Sequence, residues 1–266
     1  MKFFPIVYLI GILLCILALF MLIPALVDWF YGGNDWPAFL GSSLITFLFG
    51  SIAYFTAKGS STEHLELRQA FLLTNSAWLS IALFGSLPFY FSEINMSFVD
   101  SIFESTSGIT TTGATVILNL ENTSYGILIW RALLQWLGGV GIIVMALAIL
   151  PMLSIGGMQL FKTESYETPE KVVPKAASFA AGISIVYLTL TIIWACMLWG
   201  AGMPIFDSIA HAMTTISTGG YSTKSLSLAA FNSYSIEIII TFGMIVGSLP
   251  FVHYLSITKN GWKNLI

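Results

Sequence analysis

Two stretches decide the fold: Asp100-Ser-Ile-Phe-Glu-Ser-Thr-Ser-Gly-Ile109-Thr-Thr-Thr-Gly113-Ala-Thr115, and Asp207-Ser-Ile-Ala-His-Ala-Met-Thr-Thr-Ile216-Ser-Thr-Gly219-Gly-Tyr-Ser-Thr223. Each opens on Asp-Ser-Ile and arrives at a Thr-Gly pair, Thr112-Gly113 or Thr218-Gly219. Gly113 lies 13 residues beyond Asp100, and Gly219 lies 12 beyond Asp207. The apolar segments carrying them, Met96–Ile109 and Pro204–Ile216, are too short to cross a bilayer, which takes about 20 helical residues. A Ser-Tyr pair opens the next apolar run in both copies, Ser124-Tyr125 and Ser233-Tyr234. The pattern is helix, short helix, Thr/Gly loop, helix, written twice.

Long uncharged stretches surround these segments: Phe3–Val27, Trp36–Ala57, Gln69–Ser92, Ala132–Phe161, Ala176–Phe206 and Ile238–Thr258. Each is long enough to span a membrane. The first is too long for a signal-peptide core and has no small-residue cleavage site after it, so it reads as a retained helix. Of the 266 residues 56% are hydrophobic and only 9% charged, against about 25% charged in soluble domains. A mean hydropathy of +0.86 agrees. The class is therefore an all-α integral membrane protein. The expected organisation is two leading transmembrane helices over 1–66, a first helix–pore-loop–helix repeat over 67–160, and a second over 161–266. Cys15 and Cys196 lie in apolar runs without metal-ligand spacing and read as small buried hydrophobes.

The basic residues set the orientation. With the N-terminus in the cytoplasm, Lys2, Lys58, Arg68, Lys162, Lys171, Lys175, Lys259 and Lys263 fall inside, and only Arg131 and Lys224 fall outside. Both termini are then cytoplasmic. Both short segments must dip in from the outer side and return. Backbone of that kind is tolerated at membrane depth only where it is buried in protein or lines a watery cavity.

A monovalent cation crossing a narrow pore needs its water replaced by protein oxygens, and backbone carbonyls do this without a trapping charge. Glycine reaches the backbone angles that such loops demand. Thr110, Thr111, Thr112 and Gly113 are thus expected to form one filter wall, and Ile216, Ser217, Thr218 and Gly219 another. The C-terminal pole of each short helix would face the cation. Asp100 and Asp207 would cap the opposite ends. Glu104, one turn past Asp100, is either a carboxylate buried behind the filter and supporting it, or a solvated vestibule acid. His211 takes its place in the second copy. Arg131 reads as an interface anchor rather than a ligand. Gly138-Gly139-Val140-Gly141 and Gly243–Gly247 permit close helix packing.

Longer strings carry a resemblance. Ile109–Thr115, Trp130-Arg-Ala-Leu-Leu-Gln-Trp-Leu-Gly-Gly-Val-Gly-Ile-Ile143, Ile149-Leu-Pro151, Gly156–Phe161 with Glu164, and Thr215–Thr223 resemble the Trk-type potassium uptake proteins, the TrkH branch of the Trk/Ktr/HKT superfamily. The likeness covers essentially the whole chain. It implies two leading helices followed by helix–pore-loop–helix repeats around a pseudo-fourfold axis, and potassium as the transported ion, with no covalently bound cofactor. Sodium-passing members tend to carry serine at the first filter glycine, so Gly113 points to potassium. The resemblance also implies a bacterial cytoplasmic membrane, a homodimer embedded in lipid, and a cytoplasmic nucleotide-binding regulatory subunit. No nucleic-acid partner is implied. The family has four repeats and this sequence shows two, with the third and fourth absent. A fragment of a four-repeat transporter is the favoured expectation, and assembly of two copies is the other.

Rival classes are a substrate-coupled secondary transporter, disfavoured because the long stretches carry no charges, and a non-transporting subunit that stabilises a partner. An enzyme is least favoured: there is no Ser/His/Asp set, and His64, His211 and His253 lie in separate segments. The Lys162–Lys175 connector is a place where a partner would dock, or a solvated linker.

Overall fold

The computed structural model describes residues 3–59, 67–153, 172–251 and 254. Among them the chain is helical, without strands. Helices α1 (Phe4–Phe30) and α2 (Trp36–Thr56) form an antiparallel hairpin, and each begins with proline in its first turn, where the missing N–H costs nothing. Small residues let their backbones meet: a Cβ at Gly11 would lie 2.6 Å from Tyr54 N, the device that packs helices in lipid.

The first repeat follows. The stretch expected as one span over Gln69–Ser92 is broken into α3 (Leu67–Gly85) and α4 (Leu87–Phe91). The break falls at Ser86, whose hydroxyl donates to Leu83 O at 2.7 Å, two residues before Pro88. Short helix α5 (Phe98–Ile109) comes next, then the Thr/Gly loop, then α6 (Tyr125–Leu153). The second repeat consists of α7 (Val172–Gly200), short helix α8 (Ile205–Ile216), its loop, and α9 (Tyr234–Ser248). The Ser-Tyr pairs do open α6 and α9.

Helix α6 starts at Tyr125, ahead of the uncharged stretch that begins at Ala132, so Arg131 lies inside the helix. Two boundaries differ from expectation. Helix α7 stops at Gly200, and a turn with Gly202 at φ +95 hands Phe206 to α8. Helix α9 stops at Ser248, ahead of Pro250; most of the remaining stretch to Thr258 lies outside the described residues. So do His64, His253, the Gly156–Phe161 string with Glu164, and most of the Lys162–Lys175 connector.

Among the described residues four helical stretches are long and apolar enough to cross a membrane: Phe4–Phe30, Trp36–Thr56, Arg68–Phe91 (α3 and α4 taken together) and Ala180–Gly200. Their solvent is apolar. Leu19, Leu26, Phe49, Ile52, Leu79 and Ile185 are exposed, while Ser42, Thr46, Glu104, Arg131 and Gln135 are buried. One apolar core joins α1, α3, α5, α6 and part of α8, a second joins α7, α8 and α9, and Trp136 packs against both. The cysteines depart from expectation. Cys15 is half-buried and Cys196 exposed on α7, since a thiol on an apolar face is as compatible with lipid as with a core.

Two carboxylates fasten the leading hairpin to the first repeat. Asp28, fully buried, accepts from the Asp35 amide at 2.8 Å and the Gly126 amide at 3.1 Å. Asp35 accepts from the Glu93 amide and the Ser124 hydroxyl. The N-terminus of α6, rich in unpaired amides, is thereby satisfied from a different part of the chain.

Candidate functional site

Both short helices end in the same way. Thr111 N donates to Gly108 O and Thr112 N to Ser107 O; Thr218 N donates to Thr215 O and Gly219 N to Thr214 O. This is the Schellman pattern of paired bonds that closes a helix through a left-handed residue. Glycine ordinarily takes that position. Here threonine takes it twice, Thr111 at φ +55 and Thr218 at φ +53. A β-branched residue in this region is a strained outlier, at a cost of order 1–3 kcal/mol.

The next left-handed positions are Gly113 at φ +80 and Gly220 at φ +81. Thr111 pairs with Thr218 and Gly113 with Gly220, a constant offset of 107 residues that also pairs Asp100 with Asp207 and Glu104 with His211. The expected pairing of Gly113 with Gly219 is therefore corrected. Gly219 answers to Thr112, and the two Thr-Gly dipeptides are one step out of register. The geometry keeps Gly219 small for a different reason: a Cβ there would collide with the Gln135 side chain, and a Cβ on Gly113 would collide with Gly219 O. The two loops meet at that point.

Ile216 is the last residue of α8 and fully buried, like Ile109 at the end of α5. The carbonyl of Ile109 faces Gly138, and that of Ile216 would be 2.8 Å from a Cβ on Gly247. The packing role expected of Gly138 and Gly247 is thus specific: each glycine lets the helix that follows a loop touch the end of its own repeat's short helix. Gly139 lies against Tyr187 and Ser217 and Gly243 against Trp194 and Thr215, whereas nothing lies within 4 Å of a Cβ on Gly141.

The aspartates do not cap. Ser97 caps α5, accepting from Asp100 N at 3.1 Å, while its hydroxyl donates to Asp100 Oδ2 at 2.7 Å. Pro204 occupies the cap position of α8. Both aspartates sit in the first turn, where a carboxylate is favoured by the helix dipole. Asp100 is half-buried and hydrogen-bonded to Ser97, whereas Asp207 is buried and accepts from Thr223 just past the second loop, at 2.6 Å.

Behind the loops lies a polar cluster. Glu104 is fully buried, not a vestibule acid. It accepts from the Thr115 hydroxyl at 2.9 Å, the Val116 amide at 3.0 Å and Arg131 Nε at 2.7 Å. Arg131 is 1% exposed and no interface anchor. It lies two turns into α6, donates through Nη1 to Ser222 O at 2.8 Å, and stacks 4.1 Å above the Tyr221 ring. Tyr221 returns across the gap, its hydroxyl 2.9 Å from Glu104 O and 3.1 Å from Ala114 O. Its amide donates to Gln135 Oε1 at 3.1 Å.

In the second copy His211 Nδ1 lies 2.8 Å from Asp207 O and Nε2 lies 3.0 Å from the Ser222 hydroxyl. A carbonyl only accepts, so Nδ1 carries a proton. Glu104 to Thr115 and His211 to Ser222 are the same contact built from different chemistry. Gly220, Arg131, Gln135 and Tyr221 are thus site residues missing from the sequence expectation. A strict 107-residue alignment would have found Gly220; the others have no local signature. Among the described residues no group of three His, Cys, Asp or Glu is placed to hold a metal ion. What the arrangement offers a cation is two strained, glycine-relieved loops facing each other at the ends of two helix dipoles.

Comparison with known proteins agrees with this architecture. Residues 36–265 match the family described as TrkH, cation transport protein. The Trk system potassium uptake protein TrkH of Vibrio parahaemolyticus is 38% identical over 99% of this chain and 56% of its own length. TrkG of Escherichia coli is 35% identical over 96% of the chain and 53% of its own. The crystal structure of the potassium transporter TrkH from Vibrio parahaemolyticus superposes with a TM-score of 0.88 at 36% identity, covering 98% of this chain and 53% of that one. The chain spans about half the length of the curated relatives it matches.

Proposed function

The chain belongs to the TrkH family of cation transport proteins, and from that premise we propose that it takes part in potassium uptake, its two loops forming two carbonyl-lined walls of one selectivity filter. The observation that carries this is the matched pair of loops. Two segments 107 residues apart share left-handed φ at Thr111 and Thr218 and at Gly113 and Gly220, and meet at Gly113 and Gly219. Strain repeated at equivalent places is what a functional constraint produces, since packing alone gives no reason to keep it twice. Filter walls are then Thr110–Gly113 and Ser217–Gly220, with Ile216 as the helix end behind the second. Glu104 and Asp207 support the loops from behind, and Asp100 supports α5 at its far end.

The named relatives are potassium uptake proteins, which favours potassium as the ion and a transporter over an enzyme. The distribution of basic residues supports a cytoplasmic membrane location with both termini inside. A homodimer and a cytoplasmic regulatory subunit belong to the same proposal on the strength of the resemblance alone.

The test is rubidium uptake in a potassium-uptake-deficient bacterium expressing these 266 residues, beside Gly113→Asp. Uptake abolished by the substitution supports the proposal. An inserted chain that takes up no rubidium, or a Gly113→Asp variant that still does, overturns the assignment of conduction to these loops in this chain.

A further inference from the structure

We propose that Arg131 is a positioning residue that locks the two loops at one spacing, and that discrimination of potassium from sodium depends on that lock. The proposal rests on the filter assignment above. It starts from an asymmetry. Counting from the Ser-Tyr pair that opens α6 and α9, Arg131 corresponds to Ile240 and Gln135 to Met244. Gly138 and Gly247, which touch equivalent carbonyls of the short helices, confirm that count. The second repeat thus has neither member of the pair: His211 stands for Glu104 and Ile240 for Arg131. Carboxylate and guanidinium are present together in one repeat and replaced together in the other.

Burying a charge pair is weak evidence for stability, because desolvation offsets the attraction, and its best-attested use is to fix geometry. The contacts of Arg131 fit that use. Nε grips Glu104, which holds Thr115 and Val116 of the first loop. Nη1 grips the Ser222 carbonyl of the second loop, and the guanidinium face lies on Tyr221. One turn further along α6, Gln135 holds the Tyr221 amide. A helix of the first repeat therefore carries the second repeat's loop. A planar guanidinium fills these directions at once, whereas a lysine ammonium is a point charge on a flexible stem. The carbonyls facing an ion discriminate by their number and placement, so a loop freed by a fraction of an ångström coordinates a smaller ion as well.

The test compares the 266-residue chain with Arg131→Lys, Arg131→Gln and Leu128→Ala, the last removing a core side chain of the same helix. Amide hydrogen exchange is read at Val116 and Tyr221, and sodium competition is read on rubidium uptake. Both Arg131 variants are expected to speed exchange at both amides about tenfold or more, and to let sodium compete about tenfold better. Leu128→Ala, at a similar loss of thermal stability, is expected to leave those amides protected. Wild-type protection in Arg131→Lys would overturn the proposal, as would equal opening of the amides in Leu128→Ala. Opened amides with unchanged sodium competition would remove the selectivity half. If the wild-type chain takes up no rubidium, the filter assignment falls, while exchange still decides whether Arg131 holds the loops.

Discussion

Thr111 and Thr218 occupy the same left-handed turn at the ends of two helices 107 residues apart, with φ +55 and +53. Glycine would fit this position without strain. Thr111→Gly is therefore expected to leave thermal stability in detergent unchanged or raised by about 1 kcal/mol, strain relief being partly offset by the larger chain entropy of glycine. The same variant should weaken cation discrimination, because the turn loses its stiffness. Thermal unfolding and a potassium–sodium competition assay check the two halves separately.

The two left-handed glycines should differ in tolerance. Alanine at Gly113 is both strained and in collision with Gly219 O, whereas nothing lies within 4 Å of a Cβ at Gly220. Gly220→Ala is expected to cost only the backbone term, about 1–2 kcal/mol. Gly113→Ala is expected to cost more than that and to abolish uptake. Equal stability losses in the two variants would contradict the close approach of the loops.

Asp28 is buried with two backbone amides as donors and serves the leading hairpin and α6 together. Asp28→Ala strands both amides, at about 1–3 kcal/mol each. Asp28→Asn keeps one acceptor and should cost less. The check is the melting temperature of each variant beside the wild type.

On the exposed surface the Ser225 hydroxyl and amide both donate to Glu121, holding its carboxyl below the usual carboxylate range. A depressed folded pKa means that the clasp's contribution is present above the unfolded pKa of about 4.3, and is lost as pH falls through the folded value. Glu121→Gln should thus separate from wild type near neutral pH and converge with it in acid. Thermal unfolding between about pH 7 and pH 3 reads this directly. A gap that persists in acid would mean that charge is irrelevant to the clasp.

Much of the architecture was legible in the chain alone. Uncharged runs mark the spans because no charged side chain is easily carried through hydrocarbon. The recurrence of Asp-Ser-Ile and Thr-Gly marks the two short helices and their loops because re-entry needs small, adaptable residues at one place. Helices α5 and α8 lie within two residues of expectation at their starts, and both end where expected. The register of the loops was less legible. Matching Thr-Gly to Thr-Gly is the stronger pattern on paper, yet a helix ends by hydrogen bonding, and those bonds align Thr112 with Gly219.

By itself the sequence determined which segments are long and apolar and which are short helices ending in a Thr/Gly loop, since hydropathy and turn chemistry are local properties. Tertiary structure decided what holds the turns. Arg131 and Glu104 are 27 residues apart, and Arg131 and Ser222 are 91 apart. An arginine at the edge of an apolar run reads as an anchor in water, and only the partners that folding delivers make it a buried strut. Burial of a charge is a property of its neighbours, and neighbours at that distance along the chain are set by packing alone.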